Sequence, residues 1–194
     1  MRSISNPIAE LQKRIALAAE SVRRSPDSVR LVAASKTQSP EAIARVADAG
    51  IADFGENYVN EALPKIAALA HRNLTWHFIG AIQSNKTADI ARHFQWVHTL
   101  DRLKVAERLS RQRGGSAGPL DVLVQINIDA EPTKAGIAPT ALAEFAAQLL
   151  PLPHLRLRGL MAIPKPTSDP MRQAAAFARL RTLFLATQPA GAQH

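Results

Sequence analysis

No cysteine occurs in the 194 residues. That absence removes disulfides, thiolate nucleophiles and cysteine-held zinc together, and it suits a reducing, cytoplasmic setting. Long apolar runs are missing too, and none approaches the roughly 20 residues needed to cross a bilayer. The opening stretch "ISNPIAELQKRIALAAESVRR" carries charges throughout, so it lacks the unbroken apolar core of a signal peptide. Aromatic residues make up only 5% of the chain, and no basic cluster is interleaved with them. Direct nucleic-acid binding is therefore a poor fit, despite a net charge of +8.

The distribution of that charge points the same way. Residues 1–36 hold 7 basic and 3 acidic groups, residues 37–150 hold 11 and 12, and residues 151–194 hold 6 and 1. The excess sits at the two ends, mostly on helix faces, and forms no binding stripe. Apolar residues reach 46%, enough for a sizeable core, and the length suits one domain spanning residues 1–194.

A leading helix is expected over 5–24, where Ile8, Leu11, Ile15, Ala18 and Val22 recur at spacings of three and four. Strand and helix patterns then alternate. "VRLVAAS" reads as a buried strand, and "SPEAIARVADAG" as a helix with Pro40 in its first turn and Gly50 at its stop. "IADFGEN" leads to the helix "YVNEALPKIAALAHR", in which Pro64 predicts a kink or a late start. "LTWHFIG" precedes a helix for which Ser84 is a candidate cap, and "QWVHTL" one for which Asp101 is. After the flexible "GGSAG" come the strand "PLDVLVQINID", the helix "PTALAEFAAQLL", the strand "LRLRGLMAI" and a last helix ending in "FLAT".

Six strand–helix units over 29–187 use 159 residues, about 26 each, and predict a parallel sheet covered by helices. An open doubly wound sheet and an α/β barrel both fit. A dinucleotide-binding sheet places a glycine-rich turn after its first strand, whereas "ASKTQSP" has no glycine. A closed barrel needs eight units, two more than the count here.

In parallel α/β folds ligands sit at the C-terminal ends of the strands. Those positions carry Lys36, Asn57, His77, His98 or Thr99, Asn127, Asp129 and Met161. Lys36 stands out because an amine among Ala33, Ala34 and Ser35 is expected to be partly desolvated, which lowers its pKa and frees it to attack a carbonyl. Position alone leaves open a solvent-facing turn lysine. Asn57 serves equally as a helix cap, His77 as a hydrogen-bonded interior histidine, and Lys134 as a solvated loop lysine. No pair among the 6 histidines has metal-ligand spacing with a carboxylate, so no metal is expected.

Taken together, "ASKTQSPEAI", "DFGENYVNEALPKI", "WHFIGAIQSNK", "VHTLDR", "LVQINIDAEPTKAGI" and "LRLRGLMAIP" resemble, in order and spacing, the pyridoxal phosphate homeostasis proteins. These are small relatives of the alanine racemase barrel. The resemblance implies a TIM-type (β/α) barrel that carries pyridoxal 5'-phosphate (PLP) as a Schiff base on the lysine ending its first strand, here Lys36. It implies cofactor contacts from Asn57, His77 and Met161, and a carrier role without turnover. Transfer to another amine is chemically available, and Lys134, on the same rim, is a candidate to assist it. PLP-dependent apo-enzymes are then the recipients, and the full-length family is expected to be monomeric. A racemase-like PLP enzyme is the alternative, opposed by the lack of residues for a second domain. The family's seventh strand ends in a serine–glycine phosphate motif and its eighth carries an arginine–x–glycine–threonine stretch. Neither lies within this sequence, so a barrel of six units with exposed sheet edges and weakened PLP binding is expected.

Overall fold

In the computed structural model, residues 5–114 and 117–187 are described. Gly115 and Ser116 of the expected flexible turn, and the segment after Thr187, lie outside them. The chain divides into two compact units, residues 1–77 and 78–194.

The first unit opens with helix α1 (Ser5–Ser21). It ends where Arg23 adopts φ of 57° and Arg24 N–H returns to the Ala19 carbonyl. Strand β1 (Val32–Ala34) is shorter than the expected 29–35. A 3-10 turn at Pro26–Ser28 takes up the approach, with Val29 N–H bonded to the Pro26 carbonyl. Helix α2 (Pro40–Asp48) has Ser39 as its cap, accepting from Ala42 N–H at 3.3 Å, and Pro40 at its first position. Gly50 follows at φ of 93°, the left-handed stop that glycine adopts without strain. Strand β2 (Asp53–Glu56) leads to α3 (Val59–Ala68), which starts before Pro64 and continues past it. The first unit ends within strand β3 (Thr75–Phe78).

Strands β1 and β2 are parallel, with Val32 opposite Asp53 and Ala34 opposite Gly55. Alternation sends Phe54, Glu56 and Trp76 to one face and Asp53, Gly55 and His77 to the other. The Phe54 and Trp76 rings meet at a tilt of 40°, centroids 5.9 Å apart, on the first face, which α3 covers. Buried Ile43, Ile51, Val59 and Ala62 complete that core.

The second unit holds α4 (Thr87–His93), β4 (Trp96–Leu100), α5 (Leu103–Arg113), β5 (Leu120–Gln125), α6 (Leu142–Leu149), β6 (Leu155–Met161) and α7 (Pro170–Thr187). Strands β4, β5 and β6 pair in chain order, all parallel. Val97, Leu100, Ala106, Leu109, Leu120, Val122 and Val124 are fully enclosed between sheet and helices. Arg113 is buried as well. Its guanidinium donates to the carbonyls of Ala91, Phe94, Ala117 and Gly118, which ties off the end of α4 and the loop before β5. Burial pushes its pKa below the ordinary arginine value.

Two expected caps are not made. Ser84 lies in a short 3-10 turn before α4, and its carbonyl accepts from the Thr87 hydroxyl. Asp101 instead accepts from Gly136 N–H at 3.4 Å and pairs with Arg102, because the loop after β5 competes for its carboxylate. Among the described residues, six parallel β/α units follow the leading helix, and no helix is long and apolar enough to cross a membrane.

Candidate functional site at the first strand end

Past Ala34 the chain turns sharply. The Ser35 carbonyl accepts from Gln38 N–H at 3.0 Å, so Lys36 and Thr37 are the two central residues of the turn. Thr37 has φ of 63°. A β-branched residue in the left-handed region stores about 1–3 kcal/mol of strain, which persists only where the surroundings enforce it. Its N–H reaches Glu61 Oε2 at 3.4 Å.

The enforcement lies in Ser35, which is buried. Its N–H bonds to the Gly55 carbonyl at 2.9 Å. Its hydroxyl donates to Glu56 Oε1 at 2.7 Å, and its carbonyl also accepts from Lys65 Nζ at 2.9 Å. Lys65 Nζ lies 2.8 Å from the same Glu56 Oε1. The side chains of Lys65 and Glu56 are 9% and 0% exposed. Glu56 Oε2 has no partner among the described residues.

Lys36 itself is exposed, not partly desolvated as the sequence suggests. The reason is local. Strand β1 stops two residues earlier and pairs with β2 on one side only among the described strands, so the amine lies on an open turn. Ser35 points to the helix-covered face, where its hydroxyl meets Glu56.

Asn57 follows β2 directly and is half-buried. Its Oδ1 is enclosed without a hydrogen-bond partner among the described residues. It does not cap α3, whose N-cap is Tyr58. His77 is 1% exposed, and its Nε2 lies 2.8 Å from Asp53 Oδ1, with Arg30 Nη1 3.5 Å from that oxygen. Asp53 opens β2, so the imidazole leans toward the strand starts, away from the rim that carries Lys36 and Asn57. The first unit therefore brings Lys36 and Asn57 to neighbouring strand ends and engages His77 elsewhere.

In the second unit Met161 ends β6, half-buried, and its carbonyl accepts from Ile126 N–H at 2.8 Å. Lys134 pairs with Glu131 at 2.7 Å and points its amine at the Ile163 carbonyl, 3.5 Å away. Asn127 braces the loop between them, donating to the Glu131 carbonyl and accepting from Glu131 N–H. Asp129 accepts from Lys165 N–H at 2.7 Å and pairs with Arg179 at 2.6 Å. The backbone bond and the guanidinium hold its carboxyl below the usual carboxylate range.

Sequence reasoning missed Ser35, Glu56, Glu61 and Lys65. One signal was present: Val59, Ala62 and Lys65 recur at a spacing of three and share the buried stripe of α3. A lysine on an apolar stripe is nearly always paired when fully buried.

The arrangement fits PLP in two respects. An accessible amine lies on the turn after one strand, and an orphaned acceptor directly follows its neighbour. Residues 8–192 match the alanine racemase N-terminal domain family. A pyridoxal phosphate homeostasis protein of Pseudomonas aeruginosa is 53% identical over 185 residues, covering 95% of this chain and 80% of the relative. The solved structure of PipY from Synechococcus elongatus with PLP bound superposes with a TM-score of 0.76 at 36% identity, covering 90% of this chain and 82% of PipY. Alanine racemase of Corynebacterium glutamicum shares the fold, with a TM-score of 0.62 at 15% identity over 91% of this chain and 50% of the racemase. The fold is thus a TIM-type α/β fold, six units of it present here.

Proposed function

The chain belongs to the pyridoxal phosphate homeostasis proteins, built on the alanine racemase N-terminal domain, and from that membership we propose that it holds PLP through Lys36 and passes it on. When bound, PLP supplies an aldehyde with which a deprotonated lysine amine condenses reversibly, releasing one water. The observation that carries the reading is the Lys36 amine, accessible on a turn held rigidly at the end of β1.

Each residue has a part in this reading. Lys36 is the anchoring amine. Asn57 offers its enclosed Oδ1 to a donor on the ligand. His77, whose Nε2 is engaged by Asp53, is a further proposed PLP contact. Met161, at the end of β6 in the second unit, is a further proposed PLP contact. Reversibility lets a second amine displace Lys36, which suits a carrier serving PLP-dependent apo-enzymes in the cytoplasm, within vitamin B6 metabolism. Lys134, held by Glu131, is the candidate to assist that displacement. We read the chain as one PLP-binding domain that acts as a monomer.

The test is chemical trapping. Purified protein is incubated with PLP, reduced with borohydride and digested, and the peptides are weighed. The adduct is expected on the peptide containing Lys36 and is expected to vanish in Lys36→Ala. An adduct of equal yield on another lysine in both proteins refutes the assignment.

A further inference from the structure

We propose that the buried Lys65–Glu56 pair is a positioning device for Lys36, acting through Ser35 and the strained turn at Thr37. The inference rests on Lys36 as the PLP anchor and adds what aims it.

Every polar atom of Ser35 is tied: its N–H to β2, its hydroxyl to Glu56, its carbonyl to Gln38 and Lys65. The residue before Lys36 therefore has no rotational freedom to pass on. On the other side Thr37 is held at φ of 63°, with its N–H on Glu61. Glu56 and Glu61 flank the turn from β2 and α3, so the lysine is clamped at both backbone ends. Its side chain alone is free.

Stability does not account for this device. A buried ion pair repays its desolvation poorly, and well-packed apolar residues of the same volume serve as well or better. Here the pair also leaves Glu56 Oε2 without a partner among the described residues. What a leucine at position 65 could not do is donate to the Ser35 carbonyl. That bond and the Ser35 hydroxyl couple the pair to the turn. An anchoring amine on an exposed edge needs such support, since a group held on a loose turn loses the advantage of preorganisation.

The test compares four proteins by PLP titration, following the visible absorbance of lysine-bound PLP, its pH midpoint and its rate of appearance, with Tm alongside. They are the wild type, Ser35→Ala, the double variant Glu56→Gln/Lys65→Met, and Lys36→Ala. The double variant removes both charges together and so leaves neither buried alone. The double variant is expected to weaken PLP binding about tenfold and Ser35→Ala about threefold, each with slower appearance and a displaced pH midpoint. A merely structural role lowers Tm and leaves these quantities unchanged in folded protein. Weakening in either folded variant supports the proposal, and Ser35→Ala decides alone if the double variant does not fold. Wild-type Kd and pH midpoint in every variant that folds overturn it. Persistence of the absorbance in Lys36→Ala overturns instead the anchor assignment, a separate failure.

Discussion

Gly136 shows how narrowly single residues are specified at the strand-end rim. It sits in the "KAGI" stretch with φ of 113°, and a Cβ there would lie 2.7 Å from Asn127 N and 2.8 Å from the Ile126 carbonyl carbon. Both are backbone atoms of the segment leaving β5, so neither can swing aside. Gly136→Ala is expected to destabilise the protein by at least about 1–3 kcal/mol, read by urea unfolding, and to loosen the loop bearing Lys134. An unchanged midpoint would mean the loop repacks at no cost. Legibility at this scale was uneven. Lys36 stood out because a strand ended on an amine. Lys65 was visible only as a charge on the stripe of Val59 and Ala62. Its partner Glu56 lies nine residues earlier on another element, and no spacing rule links a strand end to the middle of the following helix.

Elements were easier to read than their ends. The β/α alternation predicted all six strands, because buried parallel strands and amphipathic helices carry different periods. Caps failed where distant groups competed, as at Asp101, whose carboxylate is taken by Gly136 from the next loop. Helix α7 illustrates such long-range attachment. It packs close to β6 at Gly159, where Phe184 leaves 3.4 Å for an added Cβ, and Arg179 ties it to Asp129. The Asp129 carboxyl titrates below its ordinary 3.8, first through the Lys165 N–H and then through Arg179. A depressed carboxylate pKa stabilises the fold above the unfolded value, and that contribution is lost as pH falls through the folded value. Hydrogen exchange of α7 amides is therefore expected to accelerate as pH drops below about 4, beyond the intrinsic pH effect. In Asp129→Asn the exchange should already be faster at neutral pH and lose this extra acid sensitivity. If α7 exchanges alike in both proteins at every pH, the Asp129 tether does not hold the helix.

At the scale of the whole molecule the sign of the charge matters more than its detail. The chain carries +8, with 10 basic and 8 acidic groups in residues 1–77 and 14 and 8 in residues 78–194, so both units are positive. A phosphate monoester carries about −1.5 to −2 charges at neutral pH. The protein's positive excess is therefore expected to draw PLP in. Salt separates this steering from binding at the site, because the Debye length shrinks from about 30 Å at 0.01 M to about 8 Å at 0.15 M. The association rate of PLP is expected to fall several-fold across that range, with the dissociation rate nearly constant. Pyridoxal has the same aldehyde and no phosphate, so its association should change little. Stopped-flow absorbance on both ligands decides the matter. Equal salt dependence for the two would assign the effect to the Lys36 turn itself, and a flat response for PLP would mean that the positive excess plays no part in capture.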